Sequence, residues 1–195
     1  MERELVMTGI GGQGIQLATQ LLARAAIAEG REVQLFGSYG GMMRGGNTEA
    51  TIVIADGPIE APPTVGQTWS AILMHHEYVG PTLQRIRPGS VILVNTTVFD
   101  ARGAAALDRT HCTVIDVPAS DLAVDVGSVM TASMVMLGAY AAVTAIVALG
   151  ALEDAVAAAL PSYRAQHVAL NVDALRAGFE AAPRAIAPAW TGVTV

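Results

Sequence analysis

The sequence contains no lysine, and all eleven basic side chains among its 195 residues belong to arginine. Schiff-base chemistry, attachment of pyridoxal phosphate and a P-loop all require a lysine. The absence of lysine therefore excludes all three kinds of site for this chain. Cys112 is the single cysteine, which excludes an internal disulfide, a CxxC redox pair and a four-cysteine iron–sulfur or zinc site built by this chain alone. Any such cluster would have to be carried by a partner.

Charged residues are also scarce, at 14% against about 25% in typical soluble domains, while hydrophobic residues reach 52%. This balance predicts a subunit with extensive protein contacts. The net charge of −6 and the scattered arginines give no basic stripe, so nucleic acid is not an expected partner. The first nine residues, MERELVMTG, carry charges of both signs and no long apolar run, which predicts no secretory signal and a cytoplasmic protein.

An uncharged stretch, residues 126 to 152, is long enough to cross a bilayer. Asp125 and Glu153 flank it, no arginine cluster marks one side, and its one aromatic residue, Tyr140, lies in the middle. Small side chains dominate the run. We therefore expect a buried helix and no membrane association, with a membrane span as the alternative.

Short apolar segments alternate with helical periodicity in the first half of the chain. Strands are expected at 5–8, 33–36, 50–54, 71–74, 91–95 and 114–117. Helices are expected at 16–29, ended by Gly30, and at 78–87, ended by Pro88 and Gly89. Later helices are expected at 129–149, 151–160 and 164–182, interrupted by Gly150 and Pro161. The pattern predicts an α/β, Rossmann-like, mostly parallel sheet with helices on both faces and a helical C-terminal part.

We expect one domain over residues 1–182 and a C-terminal tail over 183–195. No internal repeat and no low-complexity linker divides the chain further.

A first glycine cluster, Gly9-x-Gly11-x-x-Gly14, follows the first strand and opens a helix. That placement lets main-chain N–H groups approach a phosphate, although glycines at a tight turn can also be purely structural. An NAD site would need an acidic residue at the end of the second strand, where the sequence reads Gln34-Leu-Phe-Gly-Ser. An ordinary dinucleotide dehydrogenase is therefore disfavoured.

A second cluster, FGSYGGMMRGGNTEA at residues 36–50, follows the second strand. Loops at the carboxyl ends of strands line a common crevice, so the two clusters are expected to form one site. Arg44 beside Gly45 and Gly46 suits phosphate oxygens, and Ser38, Tyr39 and Asn47 add neutral hydrogen-bonding groups. The alternative is a mobile loop with a solvated arginine.

Three segments, GIGGQGI, SYGGMMRGG and MVMLGAY, resemble the gamma subunit of 2-oxoacid:ferredoxin (acceptor) oxidoreductases, over most of the chain up to Phe179. The resemblance implies CoA-dependent oxidative decarboxylation of a 2-oxoacid to an acyl-CoA. It also implies alpha and beta partner subunits, with delta as a further candidate, that carry thiamine diphosphate, Mg²⁺ and iron–sulfur clusters. Electrons would pass through these partners to ferredoxin or another acceptor.

The resemblance further implies that this chain helps to bind and orient CoA and closes the active site, with no catalytic and no metal-binding residue of its own. The residues it assigns to the CoA-facing surface come from both clusters: Gly9, Gly11, Gly12, Gln13, Gly14, Ser38, Tyr39, Arg44, Gly45 and Gly46. Two positions depart from the family pattern. Met42-Met43 replaces an acidic residue before the arginine, and Ser133 stands where an asparagine often precedes the MVMLG run.

Other candidate sites carry weaker signals. His75-His76-Glu77 could suggest a metal site, but neighbouring strand residues are expected to point to opposite faces. Cys112, between His111 and Asp116, is interpreted as a small buried residue and not a nucleophile. Asp116, Asp121 and Asp125 are interpreted as turn and cap residues.

Three hypotheses follow for function. The leading one is the non-redox subunit of a CoA-dependent oxidoreductase. The alternatives are a stand-alone Rossmann-like nucleotide-binding enzyme and a subunit anchored in a membrane through residues 126–152.

Overall fold

The computed structural model describes residues 1–39, 45–60, 65–159 and 165–190. Six strands form one sheet in the order β2-β3-β1-β4-β5-β6. Their bounds are β1 Glu2–Ile10, β2 Glu32–Tyr39, β3 Asn47–Ala55, β4 Thr68–Leu73, β5 Ile86–Asn95 and β6 Thr113–Val117. Each predicted strand is confirmed, and most are longer than expected because periodicity marks only the buried middle of a strand.

Five strands run in one direction and β3 runs against them, since β3 pairs antiparallel with both β1 and β2. The parallel pairs are β1 with β4, β4 with β5 and β5 with β6. A mostly parallel sheet is therefore confirmed. β1, α1 and β2 nevertheless do not form an adjacent strand–helix–strand unit, because β3 inserts between the two strands.

Seven helices are present among the described residues. They are α1 Ile15–Ala28, α2 Val79–Leu83, α3 Ala101–Ala105, α4 Ala119–Val126, α5 Ala132–Thr144, α6 Leu149–Ala159 and α7 Ala165–Ala181, with a short 3-10 helix, Val129–Thr131, before α5. α1, α4, α5, α6 and α7 contribute to the core on one face of the sheet. α2 and Leu107, just beyond α3, cover β4 and β5 on the other face, so helices lie on both faces as expected.

α1 ends just before Gly30, as the sequence predicts. Gly30 has φ 79, and the N–H of Arg31 donates to the carbonyl of Ala26 at 3.0 Å. A residue in the left-handed region just after a helix satisfies its last carbonyls and stops it, and glycine adopts that conformation without a β-carbon penalty.

Two helix boundaries were predicted wrongly. The helix expected at 78–87 stops at Leu83, and Arg87, Pro88 and Gly89 belong to β5. The helix expected to reach residue 149 stops at Thr144, and Gly150 lies inside α6. α3 and α4 were not predicted at all, and Asp121 and Asp125, expected in turns or caps, lie within α4.

α5 is the central helix of the fold, and all thirteen of its residues are buried. The hydroxyl of Tyr140 lies 2.9 Å from Ser70 Oγ on β4, and burial raises the pKa of this phenol above its ordinary range. Gly178 of α7 comes so close to α5 that a β-carbon there would lie 1.8 Å from the carbonyl oxygen of Val135. The uncharged stretch is thus explained by helices packed around α5. No helix in the described part of the chain is both long and apolar enough to cross a membrane.

The segment 183–190 closes the C-terminal end of α5. The N–H groups of Ala185, Ala187 and Ala189 donate to the carbonyls of residues 142, 143 and 144 at 2.7, 3.1 and 2.7 Å. The indole N–H of Trp190 donates to the carbonyl of Ile146 at 3.0 Å. The last carbonyls of a helix have no partner within it, so this segment satisfies groups that would otherwise be orphaned.

Candidate functional site

The two glycine clusters meet at the edge of the sheet where β1 and β2 end and β3 begins. The N–H of Gly11 donates to the carbonyl of Gly46 at 2.8 Å. A β-carbon on Gly11 would lie 3.3 Å from the backbone nitrogen of Gly45. Reversal of β3 brings the second cluster here, because the start of β3 lies beside the end of β1, with Asn47 opposite Ile10. The two clusters therefore form one surface, as the sequence predicts.

The N-terminus of α1 opens onto this surface. Gly14, its N-cap residue, has φ 77, no side chain caps the helix, and its first turn contains no acidic residue. The first N–H groups of a helix have no partner within it and lie at the positive end of its dipole. This terminus therefore offers donors and a favourable potential to an anion.

Gln13 shapes the loop through its side chain. Its Oε1 accepts the N–H of Ile10 at 2.9 Å, and its Nε2 donates to the carbonyl of Met74 at 3.3 Å. Gly9 makes room for this arrangement, since a β-carbon there would lie 2.4 Å from Gln13 Oε1. Both polar atoms of the Gln13 amide are thus used to fasten the loop to the end of β4.

Gly12 and Gly45 present bare backbone to open space. Gly12 has φ 103 and Gly45 has φ 89, and a β-carbon on either residue would meet no heavy atom within 4 Å among the described residues. Positive φ values explain why glycine is needed at both positions. Close approach of a ligand to the backbone is possible at both.

The remaining predicted site residues lie at the end of β2 and beyond it. The backbones of Ser38 and Tyr39 pair with Glu49 and Thr48 of β3, which places both residues at the same edge of the sheet. Arg44 lies outside the described residues. α1 is tied to this part of the sheet, because Gln16 Nε2 donates to the carbonyl of Glu49 at 2.9 Å.

Two polar side chains near this edge differ in whether they have hydrogen-bond partners among the described residues. The Glu49 carboxylate forms an ion pair with Arg85 and accepts from Thr82 Oγ1 at 3.4 Å, so its charge is compensated. Asn47 Oδ1 is buried without a hydrogen-bond partner among the described residues. A buried acceptor without a partner is costly to the fold.

The loop after β4 also lies at this edge and was interpreted incorrectly from the sequence. His75 and His76 follow the strand in a loop, and their rings stack with centroids 4.4 Å apart instead of pointing to opposite faces. His76 Nδ1 lies 2.7 Å from the carbonyl of Val98. Burial, and next the neighbouring His76, lower the pKa of His75 below its ordinary value. Tyr78 has φ 56, an uncommon conformation for a bulky residue that no sequence signal marks.

The other candidates are not brought together as a reactive centre. His111 pairs with Asp108 at 2.9 Å, and Asp116 lies in β6, where it pairs with Arg109 at 2.7 Å. The thiol of Cys112 is half-buried and lies 3.6 Å from the carbonyl of Arg87. Burial raises the pKa of this thiol, which disfavours the nucleophilic thiolate. No group of three His, Cys, Asp or Glu residues within the described ranges could hold a metal ion.

Several known proteins are similar to this chain in sequence and in fold. The family model for pyruvate ferredoxin/flavodoxin oxidoreductase matches residues 4–181. The 2-oxoglutarate synthase subunit KorC of Methanocaldococcus jannaschii is 30% identical over 184 residues, which cover 93% of this chain and 95% of that protein.

Two solved structures are similar. The gamma subunit of a keto/oxoacid ferredoxin oxidoreductase from Geobacter sulfurreducens has a TM-score of 0.78 and 30% identity over 93% of this chain and 96% of its own. The 2-oxoglutarate:ferredoxin oxidoreductase of Magnetococcus marinus, with 2-oxoglutarate, coenzyme A and succinyl-CoA bound, has a TM-score of 0.82 over 93% of this chain and 31% of its own. At 19% identity, the second likeness shows the fold alone.

The matched range includes the first glycine cluster, the second cluster and all of α5. The chain therefore belongs to the pyruvate ferredoxin/flavodoxin oxidoreductase family, as a gamma-type subunit of a 2-oxoacid:ferredoxin oxidoreductase that has partner subunits.

Proposed function

We propose that this chain binds and orients CoA for the oxidative decarboxylation of a 2-oxoacid to an acyl-CoA, and that it closes the active site formed with its partners. The observation that carries the proposal is the contact between the two glycine clusters, in which the N–H of Gly11 donates to Gly46. It joins the uncapped N-terminus of α1 and the bare backbone of Gly12 and Gly45 into one surface.

The chemistry of this surface suits CoA. CoA carries a diphosphate and a 3′-phosphate, and free N–H groups at a helix N-terminus are good ligands for such groups. The predicted Arg44 would add a guanidinium for bidentate phosphate contacts.

Redox chemistry is assigned to partner subunits. In this proposal alpha and beta subunits, with delta as a further candidate, carry thiamine diphosphate, Mg²⁺ and iron–sulfur clusters, and they pass electrons to ferredoxin. The single cysteine of this chain supports that division, because a four-cysteine cluster cannot be built from it alone. The contribution of this chain would be positioning of the CoA thiol and exclusion of water, in the cytoplasm.

The test is steady-state kinetics of the complex assembled with its partner subunits. Arg44→Ala is expected to raise the KM for CoA, while thiamine diphosphate and iron content stay unchanged. Arg24→Ala is the matched control, because Arg24 is exposed on α1 and about 15 Å along the helix from Gly14. An unchanged CoA dependence in Arg44→Ala would remove that residue from the site. Dinucleotide-dependent activity of the chain by itself would favour the stand-alone enzyme instead.

A further inference from the structure

Two neighbouring histidines, His75 and His76, lie in the loop after β4, at the edge of the sheet where the glycine clusters meet. Their rings stack with centroids 4.4 Å apart, and both side chains are half-buried. Met74 fastens this loop to its neighbours, because its carbonyl accepts Gln13 Nε2 at 3.3 Å and its N–H donates to the carbonyl of Thr8 at 2.9 Å. The histidine pair is therefore held beside the first glycine cluster.

The hydrogen bonds of the two imidazoles determine which nitrogen of each ring carries the proton. His76 Nδ1 lies 2.7 Å from the carbonyl of Val98, and a carbonyl only accepts, so a neutral His76 carries its proton on Nδ1. His75 Nδ1 accepts the N–H of Glu77 at 3.2 Å, so a neutral His75 carries its proton on Nε2. The two stacked rings are thus in opposite tautomers.

The Nε2 atoms of this pair offer one donor and one acceptor. Neither Nε2 atom has a hydrogen-bond partner among the described residues, and neither is fully buried. Burial lowers the pKa of His75, which favours the neutral ring and so keeps the donor on Nε2 and the acceptor on Nδ1. A ligand edge that carries an acceptor beside a donor would satisfy both rings.

CoA contains such an edge in its adenine base. The N6 amino group of adenine is a donor, and it lies beside an acceptor on both edges of the base, N1 on one and N7 on the other. The secondary amides of the pantetheine arm suit the pair less well, because a trans amide directs its N–H and its C=O to opposite sides.

We propose that His75 and His76 bind the adenine base of CoA, with His75 Nε2 donating to N1 or N7 and His76 Nε2 accepting from the N6 amino group. This inference rests on the proposed function, because CoA is the ligand that supplies the base. The phosphates would lie at the glycine clusters and the base at the end of β4, so the nucleotide would follow one edge of the sheet.

The experiment is calorimetric titration of the complex assembled with its partner subunits, without 2-oxoacid, using CoA and 1,N6-etheno-CoA. The etheno bridge joins N1 to N6 and removes the N6 hydrogens, while the phosphates and the pantetheine arm are unchanged. The unmodified complex should bind CoA at least about fivefold more tightly than etheno-CoA, the range for a lost neutral hydrogen bond.

Asparagine variants remove the outer nitrogen of each ring. Asparagine can keep the contact made at Nδ1, which is the acceptor for Glu77 in His75→Asn and the donor to Val98 in His76→Asn. His76→Asn should weaken the binding of CoA about fivefold and leave that of etheno-CoA unchanged. His75→Asn should weaken CoA by a similar factor, and a loss with etheno-CoA as well would place its contact at N7. His111→Asn is the matched control, because His111 is exposed and precedes β6, at the opposite edge of the sheet.

The outcomes separate this inference from the proposed function. If the unmodified complex binds CoA and etheno-CoA equally, or if both asparagine variants keep the preference for CoA, the histidine pair does not bind the base and the proposed function stands. 4′-Phosphopantetheine lacks the base and should bind all variants equally, so a parallel loss would place the pair on the pantetheine arm and overturn the inference. If the complex binds CoA but neither histidine variant nor Arg44→Ala changes the affinity, CoA lies on a partner subunit and both proposals are wrong.

Discussion

Gly138 of α5 lies directly against the backbone of Leu175 in α7. A β-carbon at Gly138 would be 1.9 Å from the carbonyl oxygen of Leu175 and 2.8 Å from its carbonyl carbon. Gly178 makes the reciprocal approach to Val135 from α7. Real β-carbons do not come this close to backbone atoms, so the two helices can pack at this distance only because both positions are glycine.

Gly138→Ala should therefore be strongly destabilising. Backbone atoms cannot move aside like a flexible side chain, so the helices must separate, at a cost at or above the usual ~1–3 kcal/mol for an overpacked core. Urea denaturation of the purified chain measures the loss. Gly150→Ala is the matched control, since Gly150 lies in α6 with nothing within 4 Å of a β-carbon, and alanine there should stabilise by roughly 0.5–1 kcal/mol. Equal stability of the two variants would contradict the close packing of α5 and α7.

Gly11→Ala should weaken CoA binding more than it weakens the fold. Its β-carbon would press on the Gly45 nitrogen at 3.3 Å and move the second glycine cluster by a few tenths of an ångström. We expect about a fivefold loss of CoA affinity, equivalent to ~1 kcal/mol, by calorimetry. Gly57→Ala meets no atom within 4 Å and should leave the affinity unchanged. A similar loss in both variants would argue against a functional role for the Gly11–Gly46 contact.

Trp190→Phe tests the attachment of the segment 183–190. The indole is buried, at 7% exposure, and phenylalanine retains most of its apolar surface but not the N–H that donates to Ile146. An unsatisfied buried carbonyl costs about 1–3 kcal/mol, so a loss of that size is expected in thermal or urea unfolding. Trp190→Ala should cost more, roughly 3–5 kcal/mol, because it also leaves a cavity. Unchanged stability in both variants would show that this segment does not hold the end of α5.

His75 should titrate below the ordinary pKa of histidine. Burial is the first cause and the charge of His76 the second, while Glu77 and Asp100 oppose them. Since the unfolded chain takes up this proton first, the fold should lose stability as pH falls through the ordinary imidazole pKa of about 6.5 towards the lowered value. NMR titration of the imidazole nitrogens measures the shift directly. His76→Gln should bring the pKa of His75 part of the way back, whereas the distant His167→Gln should not alter it.

Local signals predicted the strands and the meeting of the two glycine clusters well. The six apolar segments were short and separated by turn residues, and glycine ended α1 as expected. Glycines after β1 and β2 had to lie at the same edge because strands running in one direction end at the same edge. The antiparallel direction of β3 could not be predicted from the sequence, since an apolar segment has the same composition in either direction.

Helix ends were predicted poorly where the cause lies far along the chain. α5 stops at Thr144 with Ala145 at φ 47, and the partners of its last carbonyls come from residues 185 to 189. No residue near 145 signals this end. Gly150, by contrast, looked like a helix breaker but lies within α6, where tertiary packing outweighs its weak propensity.

The sequence by itself determined the α/β class and the two glycine clusters, because composition and short-range periodicity encode these directly. Only the tertiary structure decided that Gln13 fastens its own loop, that Ser133 lies beneath Gly14, and that α5 and α7 touch through Gly138 and Gly178. Each of these depends on a distance between atoms of separate elements, which no local pattern specifies.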